Sequence, residues 1–401
     1  MISADLIVVG AGLAGSATAR AAARRGLHVV VLEAFGPGHK NGSSHGSARI
    51  YRRVYSDPCY VEMSGRAGQL WRQLEEESGT TILTTTGGLD FGPVRDPLRL
   101  HETLTACGVP AELLAPGEAA ERWPGFRFGG PVLFHPEAGV LDPDRAMAAM
   151  LASAEADGAG VRFGTPATEL SVADSPAGVG VTGVGVTGGG GAVVRAGEEE
   201  FTAPAAVIAV GAWLEPLMSG LVRLPPLTVT QEQILHLPQR APDPARPWPS
   251  FIYEDGVTCF YGLLGGRDGG IPGAVKIGEH HAGTPVTAAA RDFAPDPACL
   301  ERILGFARDW LPGLDVPAGD GSTLREATCL YTTTVNEDFI LDRQGPFVIA
   351  SPCSGHGAKF APLLGEIITD LAQGRPSPDA RFTLEAARAV ARNASVHSAH
   401  A

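Results

Sequence analysis

The N-terminal residues alternate between short apolar runs and a segment of small residues. Residues 5–9 are short and largely apolar, as in a buried parallel strand. Residues 17–25 are rich in alanine and stop before Gly26, which predicts a helix. Residues 27–32 form a second apolar run that ends at Glu33. Because a strand, a helix and a strand follow one another so closely, the pattern predicts a β-α-β unit.

The turn between the first strand and the helix carries three spaced glycines. Gly10 allows the tight turn, Gly12 lets the backbone approach a pyrophosphate, and Gly15 lets the helix pack on the strand. The helix N-terminus adds N–H donors and partial positive charge. Glu33 stands close to the offset of about 20 residues at which an acid binds the ribose. The motif predicts a dinucleotide site and leaves NAD and FAD open. Its predicted contacts are Gly10, Gly12, Leu13, Ala14, Gly15 and Glu33.

The rest of the chain mixes helical and extended periodicities. Residues 39–53 are polar, rich in glycine and serine, and dense in cations, which predicts a loop. Valines around the glycine-rich part of 172–200 predict a hairpin. Further helices are predicted over 59–77, 142–156, 297–310 and 362–372. Further strands are predicted over 87–91, 161–163, 201–210, 231–237, 251–253, 258–263, 274–277, 329–333, 339–342 and 346–350.

Composition narrows the class of protein. At 401 residues the chain can bury a large core and fold as two domains. The formal net charge of −13 provides no basic field to meet phosphates, which argues against a nucleic-acid partner. No apolar run approaches the roughly 18 residues of a membrane span, and no secretory signal is visible. The six cysteines lack CxxC or CxxH spacing, so neither a disulfide framework nor a metal site is expected. We therefore expect a reduced, cytoplasmic protein.

A second glycine turn, residues 351–359, lies between the predicted strand 346–350 and the predicted helix 362–372. Its backbone N–H groups are expected to point outward, as they do at a helix N-terminus. They suit the N1 and C2 carbonyl region of a flavin, where negative charge develops on reduction. This second turn therefore favours FAD over NAD.

Six motifs occur along the chain in the order found in one enzyme family. With them the chain resembles the monomeric sarcosine oxidase and N-methyltryptophan oxidase family of flavin amine oxidases, over nearly its whole length. The motifs are residues 10–15 with Glu33, SSHGSARIYR at 43–52, GAW at 211–213, KIGEH at 276–280, CLYT at 329–332 and SGHGAKF at 354–360.

The resemblance implies which residues hold the cofactor. Arg49 is implied to face the flavin, and Ser44 and His45 belong to the same loop. Tyr331 is implied to stand beside the flavin attachment site. The remaining implied FAD contacts are Gly211, Trp213, Gly355, His356, Gly357 and Lys359.

The resemblance also implies a covalent bond. Cys329 matches the cysteine that joins the 8α carbon of the flavin through a thioether. Attack on that carbon needs thiolate character, which a nearby cation such as Arg49 could supply. Cys353 lies beside the flavin turn and is the competing position.

The implied substrate site is cationic. Arg52 and Lys359 match the pair that binds the substrate carboxylate, because a guanidinium fork grips a carboxylate and a lysine adds a point charge. Lys276 matches the lysine that activates oxygen, where a cation stabilises superoxide as it forms. Tyr261 and His280 match pocket residues near the substrate. The implied catalytic residues are Lys276, Arg49, His280 and Tyr261.

Two departures from the family pattern bear on the substrate. Residues 264–275 look longer than the usual link between Tyr261 and Lys276. Glu279 stands where a neutral residue is common. We expect both near the pocket, so the substrate need not be sarcosine. Relatives that oxidise cyclic imino acids share the scaffold.

The resemblance implies an α/β fold of two domains with the active site between them. One is a discontinuous, Rossmann-like FAD-binding domain, and the other is a substrate domain built on a mixed antiparallel sheet. A frayed tail is expected at 391–401, and the protein is expected to be a monomer. The predicted ranges are 1–80, 143–222 and 326–390 for the FAD-binding domain, and 81–142 and 223–325 for the substrate domain.

The implied reaction is oxidation of a secondary amino acid, either N-methylated or cyclic. A hydride passes from the C–H next to nitrogen to flavin N5 and leaves an imine, and O2 is then reduced to hydrogen peroxide. One alternative is an FAD-dependent dehydrogenase or biosynthetic enzyme that uses another electron acceptor or a ring-containing substrate. Another is a flavin- or NAD-binding protein without amine chemistry.

Overall fold

The computed structural model describes residues 1–173, 190–317 and 325–398. The four later helices predicted from the sequence are present within one residue of their predicted ends. The helices are α1 Leu13–Arg24, α2 Pro58–Ser78, α3 Pro97–Ala106, α4 Pro116–Arg122, α5 Pro143–Ala156, α6 Leu214–Met218, α7 Pro297–Trp310, α8 Ala361–Ala372 and α9 Leu384–Ser398.

Helix starts follow a local signal. Helices α2, α3, α5 and α7 each begin with proline directly after an aspartate. Proline suits the first helical position, and the aspartate carboxylate accepts a free backbone N–H of the first turn. In α7, Asp296 accepts from Ala298 N at 2.9 Å. This signal explains why the predicted ends of α7 agree with the structure.

The strands of the described residues belong to four sheets. The first strands are β1 Ile2–Ser3, β2 Leu6–Val9, β3 Val29–Leu32, β4 Arg49–Tyr51, β5 Leu83–Thr85, β6 Gly88–Phe91, β7 Glu112–Leu114, β8 Val132–His135, β9 Gly139–Leu141, β10 Gly160–Arg162 and β11 Glu169–Val172. The later strands are β12 Ala192–Ala196, β13 Glu199–Ala203, β14 Ala206–Ile208, β15 Thr228–Leu237, β16 Ser250–Glu254, β17 Cys259–Leu264, β18 Val275–Glu279, β19 Thr284–Pro285, β20 Arg325–Thr333, β21 Ile340–Gln344 and β22 Phe347–Ser351.

The nucleotide-type sheet has the order β10-β3-β2-β14-β22-β21 and is parallel except for the β21–β22 hairpin. Helices α1 and α8 pack on one face through residues such as Val8 and Leu363. The small sheet β1-β13-β12-β11 and helices α6 and α9 cover the other face. The strands are apolar on both sides because both faces are buried. The sheet therefore joins the N-terminal and C-terminal parts of the chain, as the α/β interpretation requires.

The second large sheet has the order β19-β15-β18-β17-β16-β6-β8-β7, with β20 paired to β15. It is mixed, because β16 and β6 run parallel while the other pairs are antiparallel. One face packs Val275 and Ile277 against Ile303 of α7. Residues alternate between the faces of a strand, so Lys276 and Gly278 lie on the opposite face. A small antiparallel sheet, β4-β9-β5, completes the fold.

Two predicted segments differ from the structure, and a third agrees with it over its described residues. The strand predicted at 201–210 is two strands in different sheets, β13 and β14, because Pro204 between them has no N–H for a ladder. The loop predicted at 39–53 ends in strand β4, which pairs with β9. In the hairpin predicted at 172–200, β11 pairs with β12, and residues 174–189 at its tip lie outside the described residues.

Residues 391–398 of the tail predicted to be frayed, 391–401, are helical in the structure, and the fraying itself stays a prediction. Helix α9 is rich in alanine, which has the highest helix propensity. Leu384 and Ala387 pack on the nucleotide-type sheet, and Ala391 is buried on the same side of the helix. This packing supplies the stability that composition alone did not suggest. The domain boundaries themselves stay a prediction.

Candidate active site

The glycine turn after β2 is built without room for side chains. Gly10 has a φ of +96°, and a Cβ there would lie 2.6 Å from the carbonyl oxygen of Ala209. A Cβ on Gly15 would lie 1.8 Å from the carbonyl oxygen of Gly10. A Cβ on Gly12 would approach Ser44 Oγ at 3.0 Å. Each glycine therefore allows a close approach between segments that a larger residue would separate.

Glu33 is held by the same turn. Its carboxylate accepts from Ala11 N at 2.7 Å and from Phe35 N at 3.0 Å, and His39 Nε2 lies 3.4 Å from it. Burial by itself would raise the pKa of Glu33, but the hydrogen bonds from His39, Ala11 and Phe35 outweigh it and lower the pKa. Glu33 is therefore a buried carboxylate whose charge the protein itself stabilises.

A cavity of about 760 Å³ extends from this turn to strand β20 and the second glycine turn. Residues from the N-terminal and C-terminal parts of the chain therefore line one cavity. The predicted site residues that line it are Gly10, Gly12, Leu13, Ala14, Glu33, Ser44, His45, Arg49, Gly211, Trp213, Cys329, Tyr331, Gly355 and Gly357. The predicted site residues outside this lining are Gly15, Arg52, Tyr261, Lys276, His280, His356 and Lys359.

The loop before β4 forms one wall of the cavity. Ser44 Oγ accepts from Leu13 N at 3.1 Å, which ties the loop to the start of α1. Arg49 donates to the carbonyls of Ala48, Ser43 and His45 at 2.8–3.0 Å. These bonds go to the chain's own backbone, so the guanidinium has no carboxylate partner among the described residues. Arg49 thus places a positive charge on the cavity wall.

His45 supplies a test of whether a cofactor fits. Its Nε2 is buried and has no hydrogen-bond partner in the described part of the chain. Burial and then the charges of Arg49 and Lys276 lower the pKa of His45 to about 3, so the ring is neutral. A buried polar atom usually has a partner, and this residue lines the cavity. The residues therefore fit a large polar ligand such as FAD, held between the glycine turns.

Strand β20 carries Cys329 and Tyr331 to the cavity. Cys329 lies opposite Glu232 of β15 in the strand pairing. Burial raises the pKa of the Cys329 thiol, although Arg49 and Lys276 both lower it. Burial outweighs both cations in the protein without its cofactor, and the thiolate character expected from Arg49 stays a prediction. Burial also raises the pKa of Tyr331 well above its usual value.

Lys276 lies in the interior between the second large sheet and the loop that carries Arg49. Its ammonium donates to the carbonyl oxygen of Ala48 at 3.0 Å. Burial lowers the pKa of Lys276 to about 7, and the charge of Arg49 acts in the same direction. The ammonium therefore changes charge near neutral pH, unlike an ordinary lysine.

Arg52 and Lys359 converge on Tyr55. The Lys359 ammonium donates to Tyr55 Oη at 2.9 Å and to the carbonyl oxygen of His356 at 2.6 Å. The Arg52 guanidinium lies 4.6 Å above the Tyr55 ring and donates to the carbonyl of Val54. Burial and then Arg52 lower the pKa of Lys359 well below its usual value. Within the described ranges neither cation forms an ion pair with a carboxylate.

Tyr261 and His280 lie on the sheet face that carries Lys276. The ring of Tyr261 packs over Gly278 of the neighbouring strand, where a Cβ would meet it at 2.6 Å. The His280 ring stands edge-on to Tyr331 at 5.6 Å between centroids. Gly355 has a φ of +72°, and a Cβ there would contact both Tyr331 and His280. The second glycine turn therefore packs directly on these side chains.

Some residues of the site were missed from the sequence. Tyr55 joins Arg52, Lys359 and His356, since its hydroxyl lies 3.2 Å from His356 Nδ1. Its closeness to Arg52 in the chain was the one available signal. Arg291 was missed entirely, because it stands outside every motif.

Arg291 links the loop before β4 to strand β20. Its guanidinium donates to the carbonyls of Lys40 and Asn41 at 2.8 and 3.0 Å and to the carbonyl of Thr328 at 2.6 Å. Thr328 directly precedes Cys329. Arg291 therefore sets the distance between the loop and the cysteine.

The two departures from the family pattern have structural roles. Glu279 faces away from the cavity and accepts from Arg302 Nε of α7 at 2.7 Å, so its expected place near the pocket is wrong. Alternation along β18 turns it to the face opposite Lys276. Asp268, within 264–275, accepts from Ser47 N at 3.2 Å. That segment therefore braces the loop that carries Arg49.

The fold and the cavity define a class. A nucleotide-type sheet with a glycine turn and a buried acid lies at one end of the cavity. Arg49 on the cavity wall and Lys359 in the second glycine turn have no carboxylate partner among the described residues. This combination is typical of flavin-dependent oxidoreductases. The chain belongs to the FAD dependent oxidoreductase family, whose profile matches residues 5–371.

Similar proteins narrow the class further. The chain is 31% identical over 383 residues to monomeric sarcosine oxidase of Bacillus sp. (strain B-0618), covering 92% of each chain. It is 30% identical over 386 residues to N-methyl-L-tryptophan oxidase of Yersinia pestis (strain Pestoides F), covering 93% of this chain and 96% of the relative. The resemblance proposed from the motifs is therefore confirmed.

A solved structure agrees with this assignment. The open form of NikD, described as an unusual amino acid oxidase essential for nikkomycin biosynthesis, superposes with a TM-score of 0.78 at 26% identity. The match covers 96% of this chain and 98% of NikD. The predicted α/β fold and the enzyme class, an FAD-dependent oxidoreductase, are confirmed.

None of the helices in the described ranges is long and apolar enough to cross a membrane.

Proposed function

We propose that this protein oxidises a secondary amino acid, N-methylated or cyclic, and passes the electrons to O2. The observation that carries the proposal is the placement of Arg52 and Lys359. Both approach Tyr55, and neither forms an ion pair with a carboxylate of the described chain. A buried lysine without a counter-ion is costly unless a ligand supplies the negative charge. The α-carboxylate of an amino acid supplies that charge.

The other residues act on the bound substrate by position and charge. FAD, held between the glycine turns, would supply the redox chemistry: it would take a hydride from the C–H next to the substrate nitrogen, the N–H proton would leave to solvent, and O2 with two protons would become hydrogen peroxide. The rings of Tyr261, Tyr331 and His280 form an aromatic wall beside Arg52 and Lys359, the two cations proposed to bind the carboxylate. Burial and the neighbouring His281 lower the pKa of His280 to about 3, so its ring is neutral and does not repel an ammonium substrate.

Lys276 is assigned to the oxygen step. Its ammonium lies beside Arg49, and both residues lie close to the cavity wall that faces Cys329. A positive charge there stabilises negative charge that develops as O2 takes its first electron. Because the pKa of Lys276 is lowered to about 7, this charge is only partly present at neutral pH.

Cys329 is assigned to the covalent bond with the 8α carbon of the flavin. It lines the cavity, and the charges of Arg49 and Lys276 act to lower the pKa of its thiol against burial. Acid precipitation tests the bond. A yellow pellet from the wild type and a colourless pellet from Cys329→Ser are expected. A colourless wild-type pellet would refute the bond, and a yellow Cys329→Ser pellet would move it to Cys353.

An anaerobic titration tests the main proposal. N-methyl amino acids and cyclic imino acids are expected to bleach the flavin absorbance, whereas the matching amines without the carboxylate bleach it at least tenfold less efficiently. Equal bleaching by the amino acids and by their decarboxylated amines would contradict the proposed carboxylate-binding site. Failure of every secondary amine to bleach the flavin would refute the amine reaction.

NikD, described as an amino acid oxidase essential for nikkomycin biosynthesis, favours one alternative, a biosynthetic enzyme. This alternative includes a ring-containing substrate. Cyclic imino acids in the titration test this alternative directly. Comparing turnover with O2 and with an artificial acceptor separates an oxidase from a dehydrogenase. The cytoplasmic location and monomeric state belong to the same proposal, and gel filtration tests the monomer.

A further inference from the structure

Three side chains from two loops meet beside Tyr331. The rings of His280 and His281 have centroids 3.9 Å apart. His281 Nε2 lies 3.1 Å from Glu337 Oε1. One ligand atom from each of the three residues can be chosen so that all lie within 4.8 Å of one another. Two imidazoles and one carboxylate at this spacing form a set that binds metal ions in many proteins.

The backbone of each loop fixes this arrangement. His280 follows strand β18, and its backbone N–H donates to the carbonyl of Cys259 at 2.7 Å. His281 has a φ of +58° and Glu337 a φ of +63°, which are uncommon for residues other than glycine. His356 Nε2 lies 3.2 Å from the carbonyl oxygen of Glu337 and holds that turn in place. Two loops that are far apart in the chain are therefore held face to face.

The chemistry of the three groups selects the kind of ion. We propose that His280, His281 and Glu337 form a binding site for a divalent transition-metal ion, with Zn²⁺ as the ion that fits best. Zn²⁺ binds imidazole nitrogen and carboxylate oxygen at about 2.0–2.2 Å, so tetrahedral ligand atoms lie roughly 3.3 Å apart. The three ligand atoms lie within 4.8 Å of one another, so binding requires them to move closer by up to about 1.5 Å. Mg²⁺ and Ca²⁺ prefer oxygen ligands, and this set provides one carboxylate.

The surroundings do not prevent binding. The His281–Glu337 ion pair is partly exposed, with side-chain exposures of 30% and 52%, so it contributes little stability that binding would cost. Neither ring nitrogen of His280 has a hydrogen-bond partner in the described part of the chain. Glu337 and Glu232 act on His281 with negative charge, whereas Arg52 and Lys359 act on His280 with positive charge.

Binding would act on the enzyme through His280. Its ring packs edge-on against Tyr331, which lines the cofactor cavity. A Zn²⁺ ion bound to His280 would place positive charge beside Tyr331 and the proposed substrate pocket. We therefore expect Zn²⁺ to inhibit in competition with the amino acid substrate. This consequence rests on the proposed function, whereas the binding of Zn²⁺ does not.

Calorimetric titration of the untagged holoenzyme with ZnCl2, after dialysis against a chelator, tests the site. One Zn²⁺ per chain is expected, and MgCl2 should give no binding heat. His281→Gln and Glu337→Gln should each weaken Zn²⁺ binding at least tenfold. His28→Gln removes an exposed histidine distant in sequence from the site and should bind Zn²⁺ as the wild type does.

The outcomes separate the site from the reaction. Absence of stoichiometric Zn²⁺ binding, or unchanged binding in both His281→Gln and Glu337→Gln, would overturn the proposal. Circular dichroism and flavin absorbance establish that each variant is folded. Binding without inhibition would keep the metal site and remove its effect on the substrate pocket. Inhibition that persists in His281→Gln would place the inhibitory ion elsewhere.

Discussion

Glu33 at the nucleotide end of the site and Lys359 at its substrate end, outside the cavity lining, are both buried, at 6% and 4% exposure. Backbone N–H groups of Ala11 and Phe35 and the ring of His39 surround the Glu33 carboxylate. The Lys359 ammonium has a hydroxyl and a carbonyl but no carboxylate among the described residues. Groups of the protein itself stabilise the charge of Glu33, whereas the charge of Lys359 is left for a ligand to balance. Changes at the nucleotide end should therefore break the structure, whereas changes at the substrate end should alter binding.

The largest expected effect is at Gly15. In Gly15→Val the new Cβ would lie 1.8 Å from the carbonyl oxygen of Gly10, so the helix must move away from the strand. We expect destabilisation by about 3 kcal/mol or more and loss of bound FAD. Thermal unfolding and the ratio of flavin to protein absorbance measure both.

Gly305→Ala is the matched control. Gly305 lies within α7, and a Cβ there has no heavy atom within 4 Å among the described residues. This substitution should stabilise the protein by up to about 1 kcal/mol. If Gly15→Val keeps its flavin and its melting temperature, the close approach at the turn does not matter for the nucleotide end.

Lys359→Met should increase the stability of the protein while it weakens substrate binding. Removing a buried ammonium without an ion-pair partner in the described chain should raise the melting temperature, because methionine fills the space without needing a charge partner. Loss of a charge-assisted bond of about 1.5–3 kcal/mol should raise the KM for amino acids roughly 10- to 150-fold. The KM for a decarboxylated amine is the internal control and should change little. A lower melting temperature with an unchanged KM would contradict the comparison.

Lys276 gives a pH test of the interior between these ends. Burial and then Arg49 lower the pKa of Lys276 to about 7, so its ammonium is lost as the pH rises through neutrality. The rate constant for reoxidation by O2 should therefore fall between about pH 6 and pH 8. Stopped-flow measurements of both half-reactions test this, with flavin reduction as the control. Lys276→Met should reoxidise slowly at every pH, and a wild-type rate that stays flat would remove the ammonium from the oxygen step.

The smallest expected effect is at His39. His39→Gln removes one of the three groups that lower the pKa of Glu33 and leaves the two backbone N–H groups in place. A single hydrogen bond of about 0.5–1.5 kcal/mol should weaken FAD binding roughly two- to tenfold. Because the Glu33 carboxylate is lost as the pH falls through its pKa, the loss of FAD at acid pH should begin at a higher pH.

The His39→Gln titration is best done in the Cys329→Ser background, so that a covalent bond does not hide release. His28→Gln again serves as the control, since His28 is exposed. A more than hundredfold loss of FAD binding would mean that Glu33 depends on one neighbour and that the nucleotide end is not redundantly satisfied.

Local signals made the nucleotide end predictable from the sequence. The glycines of the turn, the apolar strands and the acid after β3 are close together in the chain, and each has a local physical reason. The same holds for α7, whose Asp-Pro start and amphipathic pattern predict its bounds. Where a local signal was weak, prediction failed, as for the strand β4 inside a polar loop.

Tertiary structure decided the substrate end. Strand alternation turned Glu279 to α7 and Lys276 toward Ala48, although the two residues are near neighbours in the chain. No local pattern indicates that Tyr55 meets Lys359, or that His281 meets Glu337. The sequence alone determined the residue types and the turn that accepts a dinucleotide, because those depend on neighbouring residues. Which charges remain without a partner depends on sheet register and loop packing, and only the folded chain establishes these.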